Sequence, residues 1–97
     1  MMAKGYWIAR VDVKDAGEYK KYVDGTVVAF AKYGAKFLAR GGRSEILEGA
    51  GRARNVVIEF ESLERAVECF RSPEYQAARA FRVPAADGEI VIVEGVA

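Results

Sequence analysis

Four segments of the chain are rich in β-branched and aromatic residues, which predicts four β-strands. The first runs from Lys4 to Val13, with polar and apolar residues alternating from Arg10 onward. The clearest is Arg54 to Glu61, with the sequence RNVVIEFE. The other two are Ala35 to Arg40, extended by Ser44 to Leu47 after a glycine pair, and Glu89 to Glu94.

The first predicted helix begins near Ala16, because Asp15 and Glu18 have the spacing of a capping box. It ends at Gly34, a residue suited to a helix C-terminus. Its apolar residues recur every three or four positions and predict one stripe that faces a core. That stripe consists of Tyr19, Val23, Val27, Phe30 and Ala31.

A second helix is predicted after the third strand, with Ser62 as its N-cap. Its apolar positions are Leu63, Ala66, Val67 and Phe70, then Tyr75, Ala78 and Phe81. Ser72 and Pro73 suit an N-cap followed by a first helical residue, so we expect this helix to be bent or split there. Residues 84–88 are predicted to be a loop.

The order β-α-β-β-α-β is that of a ferredoxin-like α+β sandwich. It predicts a four-stranded antiparallel sheet with two helices on one face and the first and third strands in its middle. The chain has 97 residues, the size of one domain, so one ferredoxin-like domain is expected over residues 1–97.

Strand alternation divides the sheet into two faces. The face expected under the helices carries Trp7, Ala9, Val11, Val13, Phe37, Ala39, Val56, Ile58, Phe60, Val91 and Val93. The opposite face carries Tyr6, Ile8, Arg10, Asp12, Leu38, Arg40, Val57, Glu59, Ile90, Ile92 and Glu94. The second set is too apolar for a face open to water, which predicts that a second copy of the chain covers it in a homodimer.

Composition excludes several classes of function. The net charge is +1, which gives no field for nucleic acid or an anionic membrane. No apolar run is long enough for a membrane span or a signal-peptide core, so cytoplasmic residence is expected. The single Cys69 agrees with a reducing compartment, and a packed thiol is the simpler interpretation of it. The absence of histidine rules out Ser-His-Asp and Cys-His catalysis, and no metal or cofactor is predicted.

The motifs GYWIARVDV, FLARGG, RNVVIEF and SPEYQAAR resemble those of the domain-of-unknown-function family thirteen-thirty, over nearly the whole chain. Members of that family are similar to dimeric α/β-barrel proteins. The resemblance therefore implies a homodimer in which two sheets meet face to face, but it implies no activity. Glu61 and Phe70 depart from the family's frequent Pro and Tyr, and Phe70 lacks a hydroxyl that could donate a proton.

Arg10, Arg40 and Glu59 are the strongest site candidates, because strand order and alternation place all three on the predicted dimer face. They form either a site that grips an anion, with Glu59 as a catalytic base, or a buried ion network that fixes the dimer register.

Aromatic residues supply a second candidate site. Tyr6, Trp7, Tyr33 and Tyr75 either line a small-molecule pocket between the sheet and the helices or are plain core. The arginines around the predicted hairpin form either a basic rim for an anionic ligand or a solvated surface; they are Arg40, Arg43, Arg52 and Arg54.

Three functions remain open from the sequence. The preferred one is a homodimer that binds a small, anionic organic molecule. The first alternative is a cofactor-independent oxygenase or isomerase of the dimeric α/β-barrel type, and the second is a structural or regulatory dimer without a ligand.

Overall fold

The computed structural model describes residues 3–97. Its elements follow the order β-α-β-β-α-α-β, and the sheet order is β2-β3-β1-β4 with every pair antiparallel. The elements are β1 (Gly5–Val13), α1 (Ala16–Tyr33), β2 (Lys36–Arg40), β3 (Arg54–Phe60), α2 (Leu63–Arg71), α3 (Pro73–Ala85) and β4 (Ala86–Glu94). This confirms the ferredoxin-like arrangement, with the predicted second helix split into α2 and α3.

The helix ends follow the capping signals of the sequence. Asp15 accepts a hydrogen bond from the Glu18 amide, and Ser62 accepts one from the Arg65 amide. Ser72 closes α2 and caps α3, where its hydroxyl oxygen accepts from the Tyr75 amide. Gly34 ends α1 in the left-handed conformation, which glycine adopts without steric cost.

Trp7 holds the sheet and the helix layer together. Its side chain is 1% exposed, and its indole N–H donates to the Ala66 carbonyl oxygen of α2 at 2.8 Å. The Tyr75 ring of α3 lies edge-on to the indole at a centroid distance of 4.9 Å. The Phe30 ring of α1 lies edge-on at 5.4 Å. One side chain of the central strand therefore contacts all three helices.

The buried stripe of α1 differs from the predicted one. It consists of Tyr19, Tyr22, Thr26, Ala29 and Phe30, whereas Val27 is 61% exposed and Ala31 is also exposed. The predicted stripe includes Tyr19 and Phe30 but omits Tyr22, Thr26 and Ala29. The buried set includes Tyr22, Thr26 and Ala29 because α1 packs mainly against α3.

The assignment of faces is correct for β1 and β3 but wrong for β4. Trp7 pairs with Ile92 and Tyr6 pairs with Val93, and directly paired residues share a face. Ile90 and Ile92 therefore pack against the core, whereas Val91 and Val93 lie on the face without helices, 56% and 45% exposed. The sequence of β4 is apolar at both alternations, so only the register with β1 decides its faces.

A β-bulge at Leu38 reverses the faces of β2 after Phe37. Phe37 pairs with Ile58, but Ala39 rather than Leu38 pairs with Val57. The extra residue turns Ala39 to the face without helices, the open face of the sheet. It turns Arg40 to the face that the helices cover, and both placements are opposite to the prediction.

Two predicted boundaries are also wrong. Residues 44–47 are not a strand, because β2 ends at Arg40 before a long connection to β3. Helix α3 continues to Ala85 with Pro84 in its last turn, so the predicted loop at 84–88 is helix and strand. Pro84 has no N–H to donate to the carbonyl one turn earlier in the helix. Pro84 is exposed, so water can satisfy that carbonyl instead.

Replacing Trp7 by Ala should lower the free energy of unfolding by about 3 to 5 kcal/mol, because a large buried ring and its hydrogen bond are lost. Urea denaturation followed by far-ultraviolet circular dichroism measures this loss. Leu47→Ala is the matched control, because Leu47 is 83% exposed and should change stability by less than about 0.5 kcal/mol. Equal stability of the two variants would contradict the anchoring role of Trp7.

Candidate functional site

A cavity lies between the helix-facing side of the sheet and helices α1 and α3. Its volume is about 40 Å³, and this figure rises to about 480 Å³ when the space of the open mouth is counted. The walls combine apolar and aromatic side chains such as Trp7, Phe30, Phe37 and Ile58 with the hydroxyl-bearing Tyr22. This combination of an apolar wall and a few polar groups is typical of small-molecule sites.

Three arginines line this cavity, and no acidic residue does; they are Arg40 from β2, Arg54 from β3 and Arg82 from α3. Among residues 3–97, none of these guanidinium groups forms a salt bridge with an Asp or Glu. The cavity therefore has an excess of positive charge.

Arg82 is the most deeply placed of these arginines. It is 8% exposed, and its Nε atom is buried without a hydrogen-bond partner in the described structure. Its guanidinium lies over the Tyr22 ring at 5.4 Å. Buried N–H groups of arginine are usually paired, so an unpaired one at a cavity indicates a place for an acceptor.

Arg54 is half-buried, and its Nε is also buried and unpaired. Its guanidinium lies 5.7 Å from the Tyr19 ring centroid. Gly41 makes room for it: the glycine has φ 66°, and a Cβ there would collide with Arg54 Nη1. Arg40 is exposed at the mouth, where its guanidinium stacks 4.1 Å above the Phe37 ring.

Two tyrosine hydroxyls supply neutral hydrogen-bonding groups at the helix side. The Tyr22 and Tyr75 hydroxyl oxygens are 2.9 Å apart in a buried hydrogen bond. Burial raises the pKa of both phenols. For Tyr75 the hydrogen bond with Tyr22 and then the neighbouring Arg82 oppose this rise in part, and for Tyr22 the charge of Arg82 does so. Both therefore stay protonated at neutral pH, and one O–H of the pair remains free to donate.

The predicted group of Arg10, Arg40 and Glu59 is not brought together. Arg10 and Glu59 lie on the open face, whereas the bulge places Arg40 on the helix side. Glu59 accepts a hydrogen bond from the Tyr6 hydroxyl at 3.0 Å, which raises the pKa of Tyr6.

The ion network on the open face does not consist of the predicted Arg10, Arg40 and Glu59. Arg52 pairs with Asp12 at 3.0 Å and with Glu89 at 2.6 Å. The pKa of Asp12 is lowered by the Ala53 amide and by Arg52, and that of Glu89 is lowered by Arg52. These bonds tie the β2–β3 connection to the two strands β1 and β4.

The predicted aromatic residues have separate positions. Trp7 lines the cavity, and Tyr75 reaches it through its bond to Tyr22. Tyr6 lies on the other face of the sheet, and Tyr33 contacts the guanidinium of Arg65. Sequence reasoning missed Arg82, whose signal was a basic residue one turn after Ala78 on the apolar side of its helix.

The Cys69 thiol lies inside the protein. Cys69 is fully buried, and burial raises the pKa of its thiol to about 12. In the described part of the chain, no helix is long and apolar enough to cross a membrane. Residues 3–97 also hold no group of three or more Cys, Asp or Glu side chains placed to bind a metal ion.

The fold and the cavity define a ferredoxin-like α+β protein, and solved structures share this fold at low sequence identity. A protein of unknown function from Rhodopseudomonas palustris has a TM-score of 0.78 at 20% identity, covering 100% of this chain and 85% of that one. SnoaB, a cofactor-independent oxygenase from Streptomyces nogalater, has a TM-score of 0.61 at 12% identity, covering 98% and 95%.

A third similar structure is a dimeric ferredoxin-like protein of unknown function from Thermobifida fusca. It has a TM-score of 0.56 at 17% identity, covering 97% of this chain and 92% of that one. The comparison with curated proteins gives no significant match. Residues 4–96 match the family described as Domain of unknown function (DUF1330), and the chain belongs to that family.

Replacing Gly41 by Ala should lower the free energy of unfolding by about 1 to 2 kcal/mol, because the left-handed backbone disfavours a Cβ and Arg54 must move. Gly42→Ala is the matched control, since a Cβ there meets no atom within 4 Å. Its stability should stay within about 0.5 kcal/mol of wild type. Chemical denaturation compares the two variants, and equal losses would contradict the special role of Gly41.

Proposed function

We propose that this protein is a homodimer that binds a small anionic organic molecule in the cavity between its sheet and helices. The observation that carries the proposal is the buried guanidinium of Arg82, which lines the cavity without an acidic partner. Arg54 and Arg40 add two more positive charges at the same cavity.

The energetics of an unpaired buried charge support a ligand. Burying a guanidinium without a counter-ion costs free energy, and a structural role would be served better by a carboxylate partner or an apolar side chain. A ligand carboxylate or phosphate supplies the missing charge and accepts hydrogen bonds from the planar guanidinium groups.

The open face of the sheet supports the dimer. Its central part carries Ile8 and Val57, both half-buried, and its edges carry Leu38, Val91 and Val93, which are 45% to 56% exposed. Similar structures of this fold are described as dimeric. A second copy would remove this apolar surface from water.

A cofactor-independent oxygenase is the second candidate, favoured by the shared fold with SnoaB. The cavity, however, offers no side chain suited to take a proton at neutral pH, because burial raises the pKa of Tyr22 and Tyr75. Glu59, the base expected from the sequence, lies on the other side of the sheet. These positions favour binding over proton transfer.

Native mass spectrometry of the purified protein separates the candidates. A retained organic anion supports the binding proposal, and oxygen uptake with release of an altered molecule supports the oxygenase. A dimer that retains nothing and responds to no acid supports a structural or regulatory role instead.

Replacing Arg82 by Met should leave the free energy of unfolding unchanged or raise it by about 1 kcal/mol, because Met keeps apolar packing and removes an unpaired charge. The same variant should lose affinity for organic acids. Thermal melts with and without a panel of small carboxylates measure both effects.

Glu59→Gln is the matched control for the Arg82 variant, because Glu59 lies on the opposite face and should leave binding in the cavity unchanged. If Arg82→Met instead destabilises the fold strongly and wild type responds to no anion, Arg82 has a structural role and the proposal is wrong.

Replacing Val91 by Lys should convert the dimer to a folded monomer, because Val91 lies on the open face and is already 56% exposed within one chain. Light scattering coupled to size exclusion gives the mass, and circular dichroism checks the fold. Val27→Lys, at a 61% exposed position on α1, is the control and should remain dimeric. A Val91→Lys protein that stays dimeric would place the interface elsewhere.

A further inference from the structure

The floor of the cavity is formed by the sheet, and Ala9 lies at its centre. Ala9 pairs with Val56 of β3 on one side and with Ile90 of β4 on the other, and all three residues line the cavity. Trp7 and Val11, two residues away along β1, line it as well. The smallest residue of the cavity wall is therefore surrounded by four larger ones, and the enclosed space lies above its methyl group.

The size of this space limits what the cavity can hold. Without its open mouth the cavity measures about 40 Å³, and one water-sized group needs roughly 10 to 15 Å³. About three such groups fit, which is the size of one carboxylate with its carbon and two oxygens. A ring or a branched body does not fit, because the aromatic side chains of the wall already pack against one another.

One arginine defines the charge that the enclosed group must carry. Arg82 of α3 is 8% exposed and lines the cavity, and its Nε–H is buried without a hydrogen-bond acceptor in the described structure. Arg40 is exposed and Arg54 is half-buried, so water can solvate these two side chains. Arg82 is the one that depends on a ligand for its counter-charge, and a single negative charge is enough.

We infer that the ligand is a small monocarboxylic acid without a branch at the carbon next to its carboxylate, and that Ala9 sets this limit. The carboxylate fills the space above the Ala9 methyl group and accepts a hydrogen bond from the Arg82 Nε–H, and the rest of the acid extends into the mouth. This inference rests on the proposed function, because it names the ligand class of the same cavity. It adds a steric limit that the proposed function does not contain.

Nuclear magnetic resonance titration of the wild-type protein tests the limit, with the Arg82 Nε–H resonance as the reporter of the site. The probes are acetate, propionate, isobutyrate, pivalate and the neutral acetamide. Acetate and propionate should shift the resonance and bind at least about tenfold more tightly than the branched pivalate, with isobutyrate in between. Acetamide should not bind. Ligands with so few atoms bind weakly, so the titrations extend to about 50 mM.

Two substitutions of Ala9 should change binding in opposite directions. Ala9→Val adds two carbon atoms above the floor, so it should lower the affinity for propionate at least about tenfold. Its melting temperature without ligand should stay the same or rise, as expected when a cavity is filled. Ala9→Gly removes the methyl group and should bring the affinities for propionate and isobutyrate closer together. Ala31→Val is the matched control, because Ala31 is exposed on α1 and does not line the cavity; it should keep the wild-type affinities.

The outcomes separate this inference from the proposed function. If no acid shifts the Arg82 resonance, or acetamide binds as tightly as acetate, the proposed function itself fails. If pivalate binds as tightly as propionate, or Ala9→Val binds propionate like wild type, the cavity binds acids but the steric limit is wrong. Should Ala9→Val fail to fold, Ala9→Gly decides alone, and an unchanged ratio of propionate to isobutyrate affinity contradicts the limit. Nitrate, a planar anion without carbon, is the last probe, and tighter binding of nitrate than of every acid would overturn the carboxylic acid assignment.

Discussion

The contacts of the Trp7 indole hold the two layers of this protein in place. The residue lies on the central strand β1, donates a hydrogen bond to Ala66 of α2 and packs its ring against side chains of α1 and α3. The cavity lies next to this anchor, with Trp7 as part of its wall.

The cavity holds arginine side chains that have no acidic partner. Arg82 and Arg54 have buried Nε atoms without hydrogen-bond partners in the described structure, while an arginine on the other side of the sheet is paired. Arg52 pairs with Asp12 and Glu89. The same chain thus neutralises one basic group and leaves others open, which is the pattern expected when a ligand supplies the missing charge.

Two local events account for the errors in the sequence-based site. The bulge at Leu38 moves Arg40 across the sheet, away from Arg10 and Glu59, and a bulge leaves little trace in a short strand of five residues. The strand β4 is apolar on both alternations, so its faces follow from its pairing with β1 rather than from its own pattern. Arg82 could not be placed either, because its burial depends on α1 and the sheet closing over it.

The sequence by itself determined the order of elements, the helix caps at Asp15, Ser62 and Ser72 and the faces of β1 and β3. These features depend on residues close in the chain, where capping hydrogen bonds and clear alternation act locally. Only the tertiary structure decided the register of β4, the bulge and the meeting of Arg40, Arg54 and Arg82 at one cavity. These depend on contacts between distant segments, and a shift of one residue in a strand exchanges its two faces.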